Sequence, residues 1–123
     1  MIQPFITFSA FLKVGRMGEK FRSLSFVAEL YEELLGRVAE VVEEMASNPQ
    51  VMYIELERSG DGDAYYIRGY DEDFNEIETN KIDLSDLIIE LFASFLEDSE
   101  KIIERKGFRY HDSDKHLCIY KRE

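Results

Sequence analysis

Apolar side chains recur at helical spacing over residues 25–46, and glutamates occupy most of the positions between them. The apolar positions, three or four residues apart, are Val27, Leu30, Tyr31, Leu34, Val38, Val41, Val42 and Met45. This period places one apolar stripe along a helix and therefore predicts a long amphipathic helix. Ser25 is its predicted N-cap, and Asn48-Pro49 is predicted to end it.

A strict alternation of apolar and polar residues over 51–58 predicts a half-buried β-strand. The turn at Ser59–Gly62 then favours a hairpin, with Gly60 as the first central residue of a type II′ turn. Pairing of Arg58 with Asp63 across this turn collects apolar residues on one face and polar residues on the other. In this register the opposed pairs are Leu56–Tyr65, Ile54–Ile67, Met52–Gly69, Glu57–Ala64, Glu55–Tyr66 and Tyr53–Arg68.

The second half of the chain contains a further strand, a second helix and a closing hairpin. The strand is predicted at Glu76–Asn80, and the helix is predicted over residues 84–106 because its apolar residues again recur at spacings of three and four. Asp83 is the predicted cap of this helix, and Gly107 is the left-handed residue expected after its end. The two strands of the closing hairpin are predicted at Phe108–His111 and His116–Tyr120.

This order of elements is that of an α+β fold. Residues 1–24 are predicted to form an N-terminal strand and a basic loop, and residues 25–123 an α-β-β-β-α-β-β body. We expect a mainly antiparallel sheet with the two long amphipathic helices packed on one face. No internal repeat or linker-like stretch divides the chain, so a single domain spanning residues 1–123 is predicted.

The charge of the chain narrows the classes of partner. The 123 residues include 26 Asp+Glu against 15 Lys+Arg, and the formal net charge is −11. Residues 26–100 carry a net charge of −17, whereas residues 1–25 and 101–123 carry +3 each. An acidic body disfavours direct nucleic-acid binding, which depends on Lys and Arg against phosphates, and it favours a basic partner. No apolar run approaches the ~20 residues of a membrane helix, so we expect a cytoplasmic protein without a membrane partner.

Signatures of catalysis are missing from the sequence. There is no G-x-S-x-G motif, no glycine loop that could cradle phosphates and no H-E-x-x-H motif. Glutamate pairs at helical spacing are too common here to mark a catalytic dyad. The prediction is therefore a non-enzymatic protein without a cofactor.

One acidic stretch resembles part of a calcium site. Residues 71–75, DEDFN, match the D-x-D-x-N start of an EF-hand loop. Glu76 then stands where the loop needs glycine, and Ile82 stands where it needs a bidentate glutamate. An acidic hairpin turn is the favoured interpretation.

The closing hairpin offers the weak candidates for a metal site or a Cys–His nucleophile. Pairing of Asp112 with Lys115 would bring two histidines, a cysteine and an arginine to one outward face. These residues are His111, His116, Cys118 and Arg109. The arginine charge and the lack of a fourth ligand favour a polar face over a metal site. Because Cys118 is the only cysteine, no intramolecular disulfide can form.

The outward face of the central hairpin is the predicted partner-binding surface. Tyrosine and arginine are favoured interface anchors, and surrounding carboxylates steer a basic partner. An ordinary half-exposed sheet face, or one covered by the N-terminal segment, is the alternative. The candidate residues are Tyr53, Glu55, Glu57, Asp61, Asp63, Tyr66, Arg68, Asp71, Glu72 and Asp73.

From about residue 30 to residue 120, the chain resembles the YezG-type immunity proteins, which are antitoxins of secreted bacterial toxins. The pieces that carry the resemblance are, in order, LYEELLGRVAEVVEEM, VMYIELERSGDGDAYYIRGY, ETNKI and DLSDLIIELFASFLEDSEKI. The extended N-terminus and the closing GFRYHDSDKHLCIYK hairpin depart from the family pattern. The resemblance implies neutralisation of a toxin domain, often a nuclease, by tight binding, and it assigns no binding residue to this chain.

These patterns together predict an acidic inhibitor or immunity protein that neutralises a basic protein effector, such as a toxin or nuclease, by direct binding. A phage-type inhibitor that imitates nucleic acid is one alternative. A small metal-binding or enzymatic protein that uses the C-terminal His/Cys hairpin is another. A homodimer formed through the hairpin face or an edge strand is the last.

Overall fold

The structure is a computed structural model that describes residues 21–114 and 117–123, with side chains over 26–113 and 117–123. Of the strand and basic loop predicted over residues 1–24, residues 1–20 lie outside the described residues, as does His116, and residues 21–24 are helical. The elements are α1 (Phe21–Ser47), β1 (Tyr53–Arg58), β2 (Ala64–Tyr70), β3 (Glu76–Asp83), α2 (Asp86–Ile89), α3 (Phe92–Arg105), β4 (Phe108–Asp114) and β5 (Leu117–Arg122).

The five strands form one antiparallel sheet in the order β3-β2-β1-β5-β4. Helices α1 and α3 pack against each other, and both contact the sheet from the same side. The predicted α+β fold, with two amphipathic helices on one face of an antiparallel sheet, is confirmed. None of the described helices is both long and apolar enough to cross a membrane.

The core lies between the helices and the sheet. Phe95 of α3 is fully buried, and its ring makes edge contacts with Tyr31 of α1 and Tyr65 of β2, at centroid distances of 5.7 and 5.6 Å. Ile54 and Leu56 of β1 point toward the same space. Most apolar positions predicted on one face of each element therefore meet in a single layer, but Met52, predicted on the same face as Ile54 and Leu56, does not belong to it.

The helix boundaries differ from the prediction in two places. The described part of α1 begins at Phe21, so residues 21–24 are helical and Ser25 is not the N-cap. The second helix is divided into the short α2 and the longer α3, and the N-cap of α2 is Ser85, whose hydroxyl accepts a hydrogen bond from Ile88 N–H at 3.4 Å. Asp83 is not the cap because it is the last residue of β3. The N–H of the next residue, Leu84, donates to Asp63 O. The left-handed residue predicted at Gly107 is confirmed, with φ +94°.

The register of the central hairpin is shifted by two residues from the prediction. Leu56 lies opposite Ile67, not Tyr65, because the connecting loop is longer than a two-residue turn. Ser59 N–H donates to Ala64 O across the loop, and the left-handed residue is Gly62, with φ +82°, not Gly60. A two-residue shift keeps every side chain on its predicted face, so the division into a core face and an outward face is correct although the pairs are not.

Candidate partner-binding surface

The candidate site lies on the sheet face that points away from α1 and α3, which we call the outer face. Within residues 21–114 and 117–123, no helix packs on it. Strand alternation places three residues from each central strand there, with residues of β5 beside them. They are Tyr53, Glu55 and Glu57 of β1, Tyr66, Arg68 and Tyr70 of β2, and Ile119 and Lys121 of β5.

An ion network occupies the centre of the outer face. Arg68 Nη1 donates to Glu55 Oε1 at 2.9 Å and also to Glu57 Oε1, while the Tyr70 hydroxyl donates to Glu55 Oε1 at 3.1 Å. Glu55 is only 8% exposed, so the network satisfies it within the protein. The carboxylate that stays accessible is that of Glu57, whose side chain is 37% exposed. The predicted site residues at this point therefore mostly bond to one another.

This network also shifts the titration of its members. Partial burial lowers the pKa of Arg68, but its hydrogen bonds to Glu57 and Glu55 outweigh this effect and raise the pKa overall. Burial, followed by the charge of Glu55, raises the pKa of Tyr70 to about 12. Tyr70 therefore stays a neutral hydrogen-bond donor at physiological pH.

Phe74 is the exposed aromatic residue of this surface. Its backbone has φ +63°, a left-handed conformation that non-glycine residues rarely adopt, and its ring stacks on Tyr53 with centroids 4.0 Å apart and planes 20° apart. Phe74 is 49% exposed, whereas Tyr53 beneath it is 8% exposed. Tyr53, which was predicted as an anchor, therefore supports Phe74 from below. Phe74 is not among the predicted site residues, because residues 71–75 were interpreted as an acidic hairpin turn.

The loop that carries Phe74 is organised by one aspartate. Asp71 Oδ1 accepts hydrogen bonds from the N–H groups of Asp73 and Asn75, both at 2.9 Å, and Asn75 Nδ2 donates to Asp71 Oδ2 at 3.2 Å. These bonds, with the Asn75 N–H first, hold the pKa of Asp71 below its usual range. Both oxygens of this carboxylate thus serve the turn, which leaves the exposed carboxylates of Glu72 and Asp73 to face solvent. We call Tyr53, Tyr70 and residues 71–74 the Phe74 patch.

The two acidic loops of the predicted site are not brought together. Asp61 and Asp63 lie in the β1–β2 loop, at the opposite end of the strands from the Phe74 patch. Six strand residues separate the two ends, which corresponds to roughly 20 Å. The Asp61 carboxylate accepts a hydrogen bond from the Ser59 hydroxyl at 2.7 Å, and this bond lowers the pKa of Asp61. The predicted surface therefore divides into two separate acidic ends.

The closing hairpin does not bring Arg109, His111 and Cys118 together as predicted, and His116 lies outside the described residues. The register differs from the prediction because Asp112 lies opposite Ile119, not Lys115, and an irregularity between Tyr110 and Asp112 shifts the rest of β4 by one residue. Arg109 therefore lies opposite Lys121 and not opposite Cys118. His111 lies against the Tyr53 ring on the outer face, at a centroid distance of 5.6 Å, whereas Cys118 packs on the core side. The two residues therefore cannot form a Cys–His pair.

The thiol environment agrees with a packing role for Cys118. Burial, and then the charge of Glu100, raises the pKa of the Cys118 thiol, whereas a nucleophilic cysteine needs a lowered pKa. The described residues also hold no group of three or more His, Cys, Asp or Glu side chains arranged to bind a metal ion.

No protein-family model, curated protein or solved structure matches this chain. The resemblance to the YezG-type immunity proteins accordingly stays a prediction.

The strain at Phe74 yields a stability prediction. Phe74→Ala removes the stack on Tyr53 but keeps a side chain at positive φ, so we expect it to lower the free energy of unfolding by about 1–2 kcal/mol. Phe74→Gly loses the same stack but adopts this φ freely, so it should be about 1 kcal/mol more stable than Phe74→Ala. Urea unfolding followed by circular dichroism measures both. A glycine variant no more stable than the alanine variant would show that the backbone here is not strained.

Proposed function

We propose that this chain is a non-enzymatic, cytoplasmic protein of the inhibitor or immunity type, which neutralises a basic protein effector by binding it at the Phe74 patch. The observation that supports this proposal most directly is the half-exposed ring of Phe74, fixed on Tyr53 and flanked by the exposed carboxylates of Glu72 and Asp73. Neither carboxylate forms an ion pair with another described residue.

This arrangement has the properties of an interface hot spot. Large aromatic side chains near the centre of an interface contribute most of its binding energy. Because the stack on Tyr53 already fixes the Phe74 ring, little conformational entropy remains to be lost on binding. The carboxylates around the ring would raise the association rate of a basic effector and disfavour an acidic one.

The wider surface carries charge of the same sign. The solvent-facing side of α1 presents Glu29, Glu33, Glu40, Glu43 and Glu44. Only two of these are in ion pairs with described residues, Glu33 with Arg37 at 3.9 Å and Glu43 with Lys106 at 3.8 Å. Because α1 lies on the opposite side of the sheet from the outer face, these carboxylates add to the net negative charge that attracts a basic effector and not to the patch itself.

The decisive experiment is site-dependent capture followed by inhibition. The wild-type protein and the Phe74→Ala variant are immobilised, and proteins retained from a lysate of the source organism are identified, purified and titrated back. We expect a basic effector whose toxic or enzymatic activity falls on addition of wild-type protein. Phe74→Ala should raise its dissociation constant by about 30-fold, as loss of a hot-spot residue does.

Phe26→Ala is the matched control, because Phe26 is also an exposed phenylalanine, at 59%, but lies on α1 away from the patch. It should bind the effector like wild type. The proposal fails if no basic effector is inhibited, or if both alanine variants bind it equally well. Competing DNA or RNA in the same titration separates the alternatives: release of the effector by nucleic acid would indicate that the acidic surface imitates a nucleic-acid backbone.

A further inference from the structure

We propose that the Phe74 patch binds an arginine side chain of the effector, with the guanidinium stacked on the open face of the Phe74 ring and paired with the carboxylates of Glu72 and Asp73. This inference rests on the proposed function, because it specifies which basic group the patch selects. It distinguishes recognition of one side chain from general attraction between opposite charges.

The ring of Phe74 offers one free face. Its other face is stacked on Tyr53 at 4.0 Å, and 49% of the residue remains exposed. Lys121 Nζ lies 5.9 Å from the Tyr53 centroid, so the nearby lysine is associated with the lower ring of the stack. Among the described residues, no arginine or lysine lies over Phe74 itself.

Elsewhere the molecule pairs its aromatic rings with arginine. The Arg58 guanidinium lies 4.3 Å from the Phe92 centroid, and that of Arg122 lies 4.8 Å from the Phe108 centroid. Arg68 lies over another ring, that of Tyr66, at 4.9 Å. The Phe74 ring is of the same kind but has no arginine from the described residues over it. An arginine from the effector would take the corresponding position over this ring.

A shallow groove of about 350 Å³ lies beside the loop that carries Phe74. It is lined by Pro49, Gln50, Met52, Asp71 and Glu72. The proline and methionine offer apolar contact to the three methylene groups of an arginine side chain. Glu72, one of the two carboxylates proposed to pair with the guanidinium, also lines this groove, which therefore provides apolar and acidic contacts next to the site.

The chemistry favours arginine over lysine. A guanidinium is planar and weakly hydrated, so it can stack on a ring while its N–H groups donate to two carboxylates. A lysine ammonium is a strongly hydrated point charge and cannot make both contacts in the same geometry. Attraction to the net negative charge, by contrast, is equal for the two side chains.

Two synthetic peptides of equal length and charge test the inference. One repeats Gly-Ser-Arg and the other Gly-Ser-Lys, and each is titrated into protein with ¹³C-labelled phenylalanine and tyrosine rings while NMR follows the ring signals. We expect the Phe74 and Tyr53 signals to shift. The arginine peptide should bind the wild-type protein about two- to fivefold more tightly than the lysine peptide.

The variants decide between selective and general attraction. Phe74→Ala should abolish the difference between the two peptides, Phe26→Ala should keep it, and Glu72→Gln should weaken both peptides. Equal binding of the two peptides by wild type, a preference that survives in Phe74→Ala, or no binding of either peptide at millimolar concentration would each overturn the inference. The capture experiment is independent of these results, because an effector inhibited through the patch without arginine selectivity would leave the proposed function standing.

Discussion

Replacement of Arg122 by alanine is expected to lower the free energy of unfolding by about 3 kcal/mol, because this one side chain satisfies three backbone carbonyls. Its Nε donates to Val51 O at 2.8 Å, and its Nη2 donates to Ala46 O at 3.2 Å and to Asn48 O at 3.0 Å. Hydrogen bonds from a charged donor contribute more than neutral ones, and their loss deprives Ala46 O and Val51 O of this donor, while Asn48 O keeps the N–H of Val51 at 3.1 Å.

The location of Arg122 explains why so many acceptors converge there. Helix α1 ends at Ser47, and the last carbonyls of a helix have no partner within it. A positive charge at this end also interacts favourably with the helix dipole. Arg122 N–H in addition donates to Met52 O at 2.8 Å, and its guanidinium lies over Phe108. The last residue of β5 thus joins the end of α1 to the start of β1, just before Tyr53.

Chemical unfolding of Arg122→Ala, Arg122→Lys and Arg37→Ala measures this effect. Arg37 has an exposed side chain and a single long ion pair with Glu33, so its replacement should cost at most about 0.5 kcal/mol. Lysine at position 122 keeps the charge but cannot reach three carbonyls, so this variant should fall between wild type and Arg122→Ala. Equal destabilisation by Arg122→Ala and Arg37→Ala would contradict the capping role.

Local pattern was sufficient to predict most elements and the core. The three-to-four spacing of apolar residues identified α1, and the alternation over 51–58 divided β1 into a core face and an outer face. Both spacings of apolar residues, the helical and the alternating one, indicate only which side of an element is buried, and consecutive residues are enough to show this. The break between α2 and α3 was not predicted, because the apolar stripe has the same spacing on both sides of Glu90 and Leu91 and no glycine or proline interrupts it.

Strand register and contacts between distant residues were predicted less well, because they depend on geometry that the local pattern of apolar and polar residues does not contain. The two-residue shift in the central hairpin follows from the left-handed residue falling at Gly62, and alternation cannot distinguish Gly62 from Gly60. The irregularity at His111 leaves this residue beside Tyr53 on the outer face, whereas Cys118 lies opposite the core residue Leu56. Arg122 and Val51 are 71 positions apart in the chain, and no sequence pattern near either residue predicts the hydrogen bond between them.

Within the candidate site, the sequence identified the outer face and its acidic loop, but the pattern indicated Tyr53 as an accessible aromatic residue and did not indicate Phe74. Tyr53 looked accessible because it alternates with Ile54, and its burial arises only when the β2–β3 loop folds Phe74 back over it. A phenylalanine inside an otherwise acidic turn was the available signal.

Replacement of Tyr31 by phenylalanine is expected to destabilise the protein by about 2–3 kcal/mol, since it leaves a buried carboxyl group without its donor. The Tyr31 hydroxyl donates to Asp98 Oδ2 at 2.7 Å, and Asp98 is 3% exposed between α1 and α3. Asp98→Ala should cost a similar amount, because it leaves the tyrosine hydroxyl unpaired. Asp98→Asn keeps an acceptor of nearly the same shape and should be at least as stable as wild type at neutral pH.

The pH dependence of stability distinguishes the carboxyl group from its amide replacement. Burial raises the pKa of Asp98, and the hydrogen bond from Tyr31 and the charge of Lys101 offset this only in part. A carboxyl group whose pKa is raised by folding contributes most stability below its unfolded pKa of about 3.9, and that contribution is lost as the pH rises through the folded pKa. Asp98→Asn removes this titration, so its gain over wild type should increase with pH across that window.

A double-mutant cycle over a range of pH tests the same hydrogen bond. Tyr31→Phe, Asp98→Asn and the double variant are unfolded in urea at a series of pH values from 4 upward. The loss caused by Tyr31→Phe should be larger when residue 98 is an ionised carboxylate, because a hydroxyl bonds more strongly to a charged acceptor than to an amide. The coupling between positions 31 and 98 should therefore increase as the pH rises through the raised pKa of Asp98. Coupling that is absent, or constant over the whole series, would mean that the buried hydrogen bond adds nothing beyond the packing of α1 against α3.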